Sequence, residues 1–116
     1  MPVSDSCLDY VRDQLHGVGR VTIRKMFGGA GLYLQDVMFA LIAEDILYFK
    51  VDDTNRPDFE AAGMRPFKPF DDKAYTMSYY QVPAEVLEDA TELRVWAGKA
   101  LRVALSKSRG TRKRRG

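Results

Sequence analysis

The sequence predicts a two-layer α+β domain: an antiparallel sheet of about five strands, with helices at both chain ends packed on one face. Three observations carry this. Apolar residues recur at helical spacing at both ends of the chain. Short strand-like runs lie between them, several joined by links of about two residues. Such links join antiparallel neighbours, because a parallel return needs a crossover of a dozen residues or more. Helices at the ends with strands between them then have one economical arrangement, the helices covering one face of the sheet. At 116 residues the chain has room for one core and no second domain.

The first helix follows Ser4, a cap for free backbone N–H groups, with Asp5 in the turn where the helix dipole favours negative charge. Cys7, Leu8, Val11 and Leu15 form its buried stripe, and Gly17 and Gly19 mark its end. Val21 and Ile23 then alternate with Arg20, Thr22 and Arg24. Leu32-Tyr33-Leu34 follows a glycine cluster, and Gln35-Asp36 reads as a turn. Met38 to Ala43 is continuously apolar, as in a strand covered on both faces. Glu44-Asp45 is a tight connection into Ile46 to Val51.

A second, short helix is expected near Pro57, capped by Thr54 or Asn55, with Phe59 and Ala62 inward and Gly63 at its left-handed end. Met64 to Phe70 carries two prolines and reads as an edge strand or loop. Thr76 to Val82 is a strand ended by Pro83. The last helix is the most strongly patterned: Asp89 caps it, and Leu93, Trp96, Ala97, Ala100, Leu101 and Ala104 line one side.

Charge divides the chain near Ser106. Residues 1–106 hold all 16 acidic groups against 12 basic ones, a net −4. Lys107, Arg109, Arg112, Lys113, Arg114 and Arg115 give the remainder +6. The expected organisation is a domain over 1–106 and a disordered basic tail over 107–116, since such a composition buries no core. Those six cations are the expected nucleic-acid contact, neutralising phosphates without reading sequence. No apolar run reaches the ~20 residues of a membrane helix, and the start lacks the pattern of a signal peptide. With a single cysteine, the expectation is a cytoplasmic protein that contacts no membrane.

Ordered segments of this sequence resemble the amino-terminal domain of the TfoX/Sxy family. They are Arg24-Lys25-Met26-Phe27-Gly28-Gly29-Ala30-Gly31-Leu32-Tyr33, Met38-Phe39-Ala40-Leu41-Ile42, Leu47-Tyr48-Phe49-Lys50-Val51-Asp52, Arg56-Pro57-Asp58-Phe59-Glu60-Ala61-Ala62-Gly63-Met64 and Met77-Ser78-Tyr79-Tyr80-Gln81-Val82-Pro83. The resemblance spans roughly Asp9 to Leu105. It implies a two-layer fold and a non-enzymatic regulatory role, since full-length members are similar to transcriptional co-regulators of competence that act with the cyclic-AMP receptor protein. It supplies no catalytic residues; with one histidine and one cysteine no structural zinc set is expected, and the expectation is no metal and no cofactor. Those regulators carry a second, helical domain where this chain has ten mostly basic residues.

Several residues invite functional readings. Gly28-Gly29-Ala30-Gly31 lacks the Lys-Ser/Thr and the following helix of a phosphate loop, so the glycines are read as backbone devices for a tight bend. Arg24 and Lys25 beside Gly28 and Gly29 could still attract an anion. Tyr79 and Tyr80 point to opposite faces of a strand, so one is expected to meet solvent and a partner. These six residues form the expected partner or anion surface. His16 has no neighbouring nucleophile, and Cys7 reads as a small core residue. Asp52, Asp53, Asp58 and Glu60 fit turn chemistry and the helix dipole better than a cation site. The expected partner is a protein, of the transcription machinery by resemblance. Two alternatives stand beside this reading: an interaction domain or homodimer without a nucleic-acid role, and a small enzyme.

Overall fold

The computed structural model describes residues 4–26, 29–66 and 78–115, with side chains described up to Lys107 apart from that of Met26. Helix α1 (Asp5–Gln14) leads into strands β1 (Thr22–Met26), β2 (Gly29–Leu34), β3 (Val37–Ala43) and β4 (Ile46–Lys50). Helix α2 (Arg56–Ala61), strand β5 (Tyr79–Gln81), and helices α3 (Ala84–Glu88) and α4 (Ala90–Arg115) follow. The five strands form one antiparallel sheet in the order β1-β2-β3-β4-β5. This is the α+β fold that the patterning predicts.

Local chemistry explains the meander. The β2–β3 turn holds Gln35 and Asp36 at φ 51° and 66°, and the β3–β4 turn holds Glu44 and Asp45 at 51° and 61°. Two consecutive left-handed residues match the twist of the flanking strands, the geometry that tight hairpins select. Between Leu32 and Tyr33 the β2–β3 register slips by one residue, leaving Phe39 as the extra residue of a bulge. Phe39 and Ala40 are therefore both fully buried although adjacent in sequence. Phe39 packs its ring 6.1 Å from that of Phe49.

Leu8, Val11 and Leu15 from α1, Phe59 from α2, Val86 from α3 and Leu93, Ala97, Ala100 and Ala104 from α4 join the sheet residues in one core. The buried alanines of α4, Ala97, Ala100 and Ala104, share this core with the sheet's Phe39 and Phe49, small side chains beside large ones. Phe59 fixes α2 by an edge contact 4.8 Å from Trp96, a geometry that contributes about 1 kcal/mol beyond burial.

The expected caps at Ser4 and Asp89 are present. Ser4 Oγ accepts from the Cys7 amide, and Asp89 Oδ1 accepts from the amides of Thr91 and Glu92. The expected cap of α2 is different. Neither Thr54 nor Asn55 caps it with its side chain. The buried Asn55 amide instead reaches back to β4, donating to Lys50 O and accepting from the Asp52 amide. Helix α3, only five residues long behind Pro83, carries no periodicity strong enough to have been predicted.

The expected strand over Thr76 to Val82 is found as Tyr79–Gln81, residues 76 and 77 lying outside the described residues. Of Met64 to Phe70, residues 67–70 also lie outside them, and Pro66 bridges Tyr80 on the far side of β5. Helix α4 runs from Ala90 through Ser106 to Arg115. Once a packed segment has nucleated a helix, each further residue adds a hydrogen bond, and Arg and Lys are good helix formers.

Candidate partner-binding surface

The helices occupy one face of the sheet; the candidate surface lies on the other and along the β1 edge. Successive side chains of a strand alternate between faces. On β1 this separates two cations that are adjacent in sequence. Arg24 lies on the outer face, its guanidinium 5.4 Å from the centre of the Tyr33 ring, a cation–π arrangement. Lys25 pairs across the strands with buried Ala30 and reaches toward α1, its Nζ 3.6 Å from Asp5 Oδ1. Both members of that ion pair are exposed, so it adds little stability. Arg24 and Lys25 therefore do not converge on one anion.

Gly29 serves the sheet. A Cβ there would stand 2.3 Å from Ile42 O, so only glycine allows β2 to start this close to β3. Gly28 lies outside the described residues. Neither tyrosine of β5 is exposed. Tyr79 is buried on the outer face beneath Lys50, whose Nζ is 4.8 Å from the ring centre. Tyr80 is half-buried on the helix side, 5.9 Å from Phe59. Burial, reinforced by Tyr33, pushes the Tyr79 phenol up to about 12. Burial and then Lys107 hold the Lys50 ammonium below its ordinary range. Lys107 thus stands close enough to the end of β4 to act on it.

What the outer face does present is an open cleft of about 420 Å³ beside β1. It is lined by Arg20, Thr22, Arg24, Tyr33, Leu34, Gln35 and Asp36. Arg20, Thr22 and Arg24 are exposed and share one side of the chain through strand alternation. Sequence reasoning missed Arg20 as a member of this set, although its period-two spacing with Thr22 and Arg24 was the available signal. It also missed Lys50.

The remaining polar clusters are engaged locally. Asp52 accepts from the Thr54 amide and hydroxyl at 2.8 and 2.5 Å, and the hydroxyl bond is the main reason its pKa lies below the usual value. Asp53 pairs with Arg56, and Asp58 accepts from Lys99 Nζ at 2.8 Å. Among the described residues no three His, Cys, Asp or Glu side chains are grouped to hold a metal ion. Burial, and secondarily Asp45, raises the Cys7 thiol pKa, opposing the reactive thiolate form. No helix among the described residues is long and apolar enough to cross a membrane.

Lys107 and the backbone through Arg115 extend α4 beyond Ala104, the last of its core residues. Side chains of Arg109, Arg112, Lys113, Arg114 and Arg115 lie outside those described.

No curated protein matches the chain in sequence. The family pattern described as the TfoX N-terminal domain matches residues 13–104, most of the folded body from within α1 to the last core residue of α4. With that match and the five-stranded sheet it spans, the chain belongs to the TfoX N-terminal domain family.

Proposed function

We propose that this chain is a non-enzymatic regulatory or adaptor domain, similar in role to the TfoX/Sxy transcription co-regulators. In this reading it binds a protein of the transcription machinery and contacts DNA through its basic C-terminal stretch. The reading requires no cofactor and holds the protein to be cytoplasmic. The observation that carries it is the charge distribution: the last turns of α4 concentrate six cations while residues 1–106 are net −4. A basic segment displaces counterions from phosphates, and its affinity falls linearly with salt on logarithmic axes.

The test is salt-titrated binding of duplex DNA. The full chain is compared with a variant carrying glutamine at Arg109, Arg112, Lys113, Arg114 and Arg115. The expected outcome is at least tenfold weaker binding at low salt, with a shallower salt slope by up to about 4. Equal affinity and equal slope remove the DNA half of the proposal. They would leave an interaction domain with no nucleic-acid role, a reading supported by β1, which pairs only with β2 among the described residues.

A further inference from the structure

We infer that the outward edge of β1 receives an extended, acidic segment of a partner protein, which adds to the sheet as a sixth antiparallel or parallel strand. The inference rests on the adaptor reading for its premise that a protein is bound, and it is independent of the basic tail.

The two edges of the sheet are treated differently. At β5 the edge is occupied: Pro66 bridges Tyr80, and Arg65 O accepts from the Gln81 amide at 3.2 Å. At the other end, β1 pairs only with β2 among the described residues. Its outward N–H and C=O groups are the kind of template onto which peptides add as strands. Backbone pairing supplies affinity there and alternate side chains supply selectivity.

The side chains of this edge select a charge. Arg20, Thr22 and Arg24 are exposed toward the cleft, and Lys25 is exposed on the opposite face. Asp36 at the cleft and Asp5 beside Lys25 offset this only in part. A second copy of β1 would bring its own Arg20, Arg24 and Lys25 to the same seam, where like charges oppose pairing. An incoming strand with carboxylates at every second position sets them against Arg20, Thr22 and Arg24. Its intervening apolar residues then fall beside half-buried Ile23. The cleft provides room for the carboxylate side chains.

The probe is a capped eight-residue peptide alternating glutamate with valine, added to the full chain and followed by amide hydrogen exchange and amide chemical shifts. The expected result is slowed exchange confined to Thr22–Met26, with binding at least fivefold weaker in Arg24→Glu and in Arg20→Glu. The second variant lies outside the strand and guards against a folding effect of the first. The variant with glutamine at the five tail positions binds the peptide as the wild type does. Equal binding of a lysine–valine peptide, or of the glutamate peptide with proline at its centre, overturns the inference. Protection of Thr22–Met26 by self-association alone overturns it in favour of a second copy, and preferential protection by single-stranded DNA overturns it in favour of nucleic acid. Loss of peptide binding in the tail variant also overturns it, because attraction would then reside in the tail. A chain that ignores the peptide yet retains salt-dependent DNA binding loses the strand-addition inference and keeps the adaptor reading.

Discussion

Replacing Asn55 by alanine tests the joint between the sheet and α2. The side chain is 1% exposed; Nδ2 donates to Lys50 O at 3.1 Å and Oδ1 accepts from the Asp52 amide at 2.9 Å. Two hydrogen bonds contribute about 1 kcal/mol each, and a partner left dry costs a further ~1–3 kcal/mol. The adjoining Asp53 and Thr54 are exposed, so water can reach one of the abandoned groups. The expected loss is about 2–3 kcal/mol, a large share of a domain's ~5–15 kcal/mol. With about 2 cal/mol/K per residue of unfolding entropy, this lowers Tm by roughly 10 °C. Asn55→Asp sharpens the test. Its carboxylate keeps the bond from Asp52 but faces the Lys50 carbonyl without a proton to donate. Burial raises its folded pKa above the unfolded value, so its stability is greatest at low pH and is lost as pH rises through that interval. Denaturant unfolding at pH 4 and pH 7 should show the gap to wild type narrowing in acid for Asn55→Asp and staying constant for Asn55→Ala. An alanine variant within 0.5 kcal/mol of wild type, or an aspartate gap that widens in acid, refutes the reasoning.

Four further outcomes follow from the same structure. Asp36→Gly, at φ 66° in the β2–β3 turn, should stabilise by about 1 kcal/mol in chemical unfolding, because glycine adopts that conformation without the steric cost. Gly98→Ala should add roughly 0.8–1 kcal/mol, since a Cβ there meets nothing within 4 Å and alanine is the better helix former. Gly29→Ala should destabilise by about 2 kcal/mol or more, its Cβ forcing β2 away from Ile42 O, as read from the shift in Tm. Spectrophotometric titration should find Tyr79 ionising near 12 in the native protein. Because that phenol is held above its ordinary value of 10.0, the stability it contributes is present below pH 10 and declines as pH rises from 10 toward 12.

The meander was legible because its turns are two-residue links, and Gln35-Asp36 and Glu44-Asp45 leave the chain no other return. The long helix was legible because six apolar residues repeat on one side of it. Other features depend on distances that spacing does not encode. An apolar run such as Met38 to Ala43 conceals a register slip, so the bulge that buries both Phe39 and Ala40 left no mark in the pattern. Asn55 has the chemistry of a cap and equally the chemistry to reach back to β4, and only the packed strand decides between them. Tyr79 and Tyr80 were correctly assigned to opposite faces, but neither is exposed, because burial depends on what covers each face. The separation of Arg24 from Lys25, by contrast, followed from strand alternation alone and could have been read directly.

The arrangement around Pro66 and Tyr80 bears on how copies of this protein can aggregate. Fibrils grow because each added unit offers the next one a fresh ladder, which requires both flanks of every sheet to be available. Here Arg65 and Pro66 already lie along one flank. Were two copies to meet through β1 against the repulsion of their cations, each would turn only its occupied β5 flank outward, and stacking through the sheet would stop at that pair.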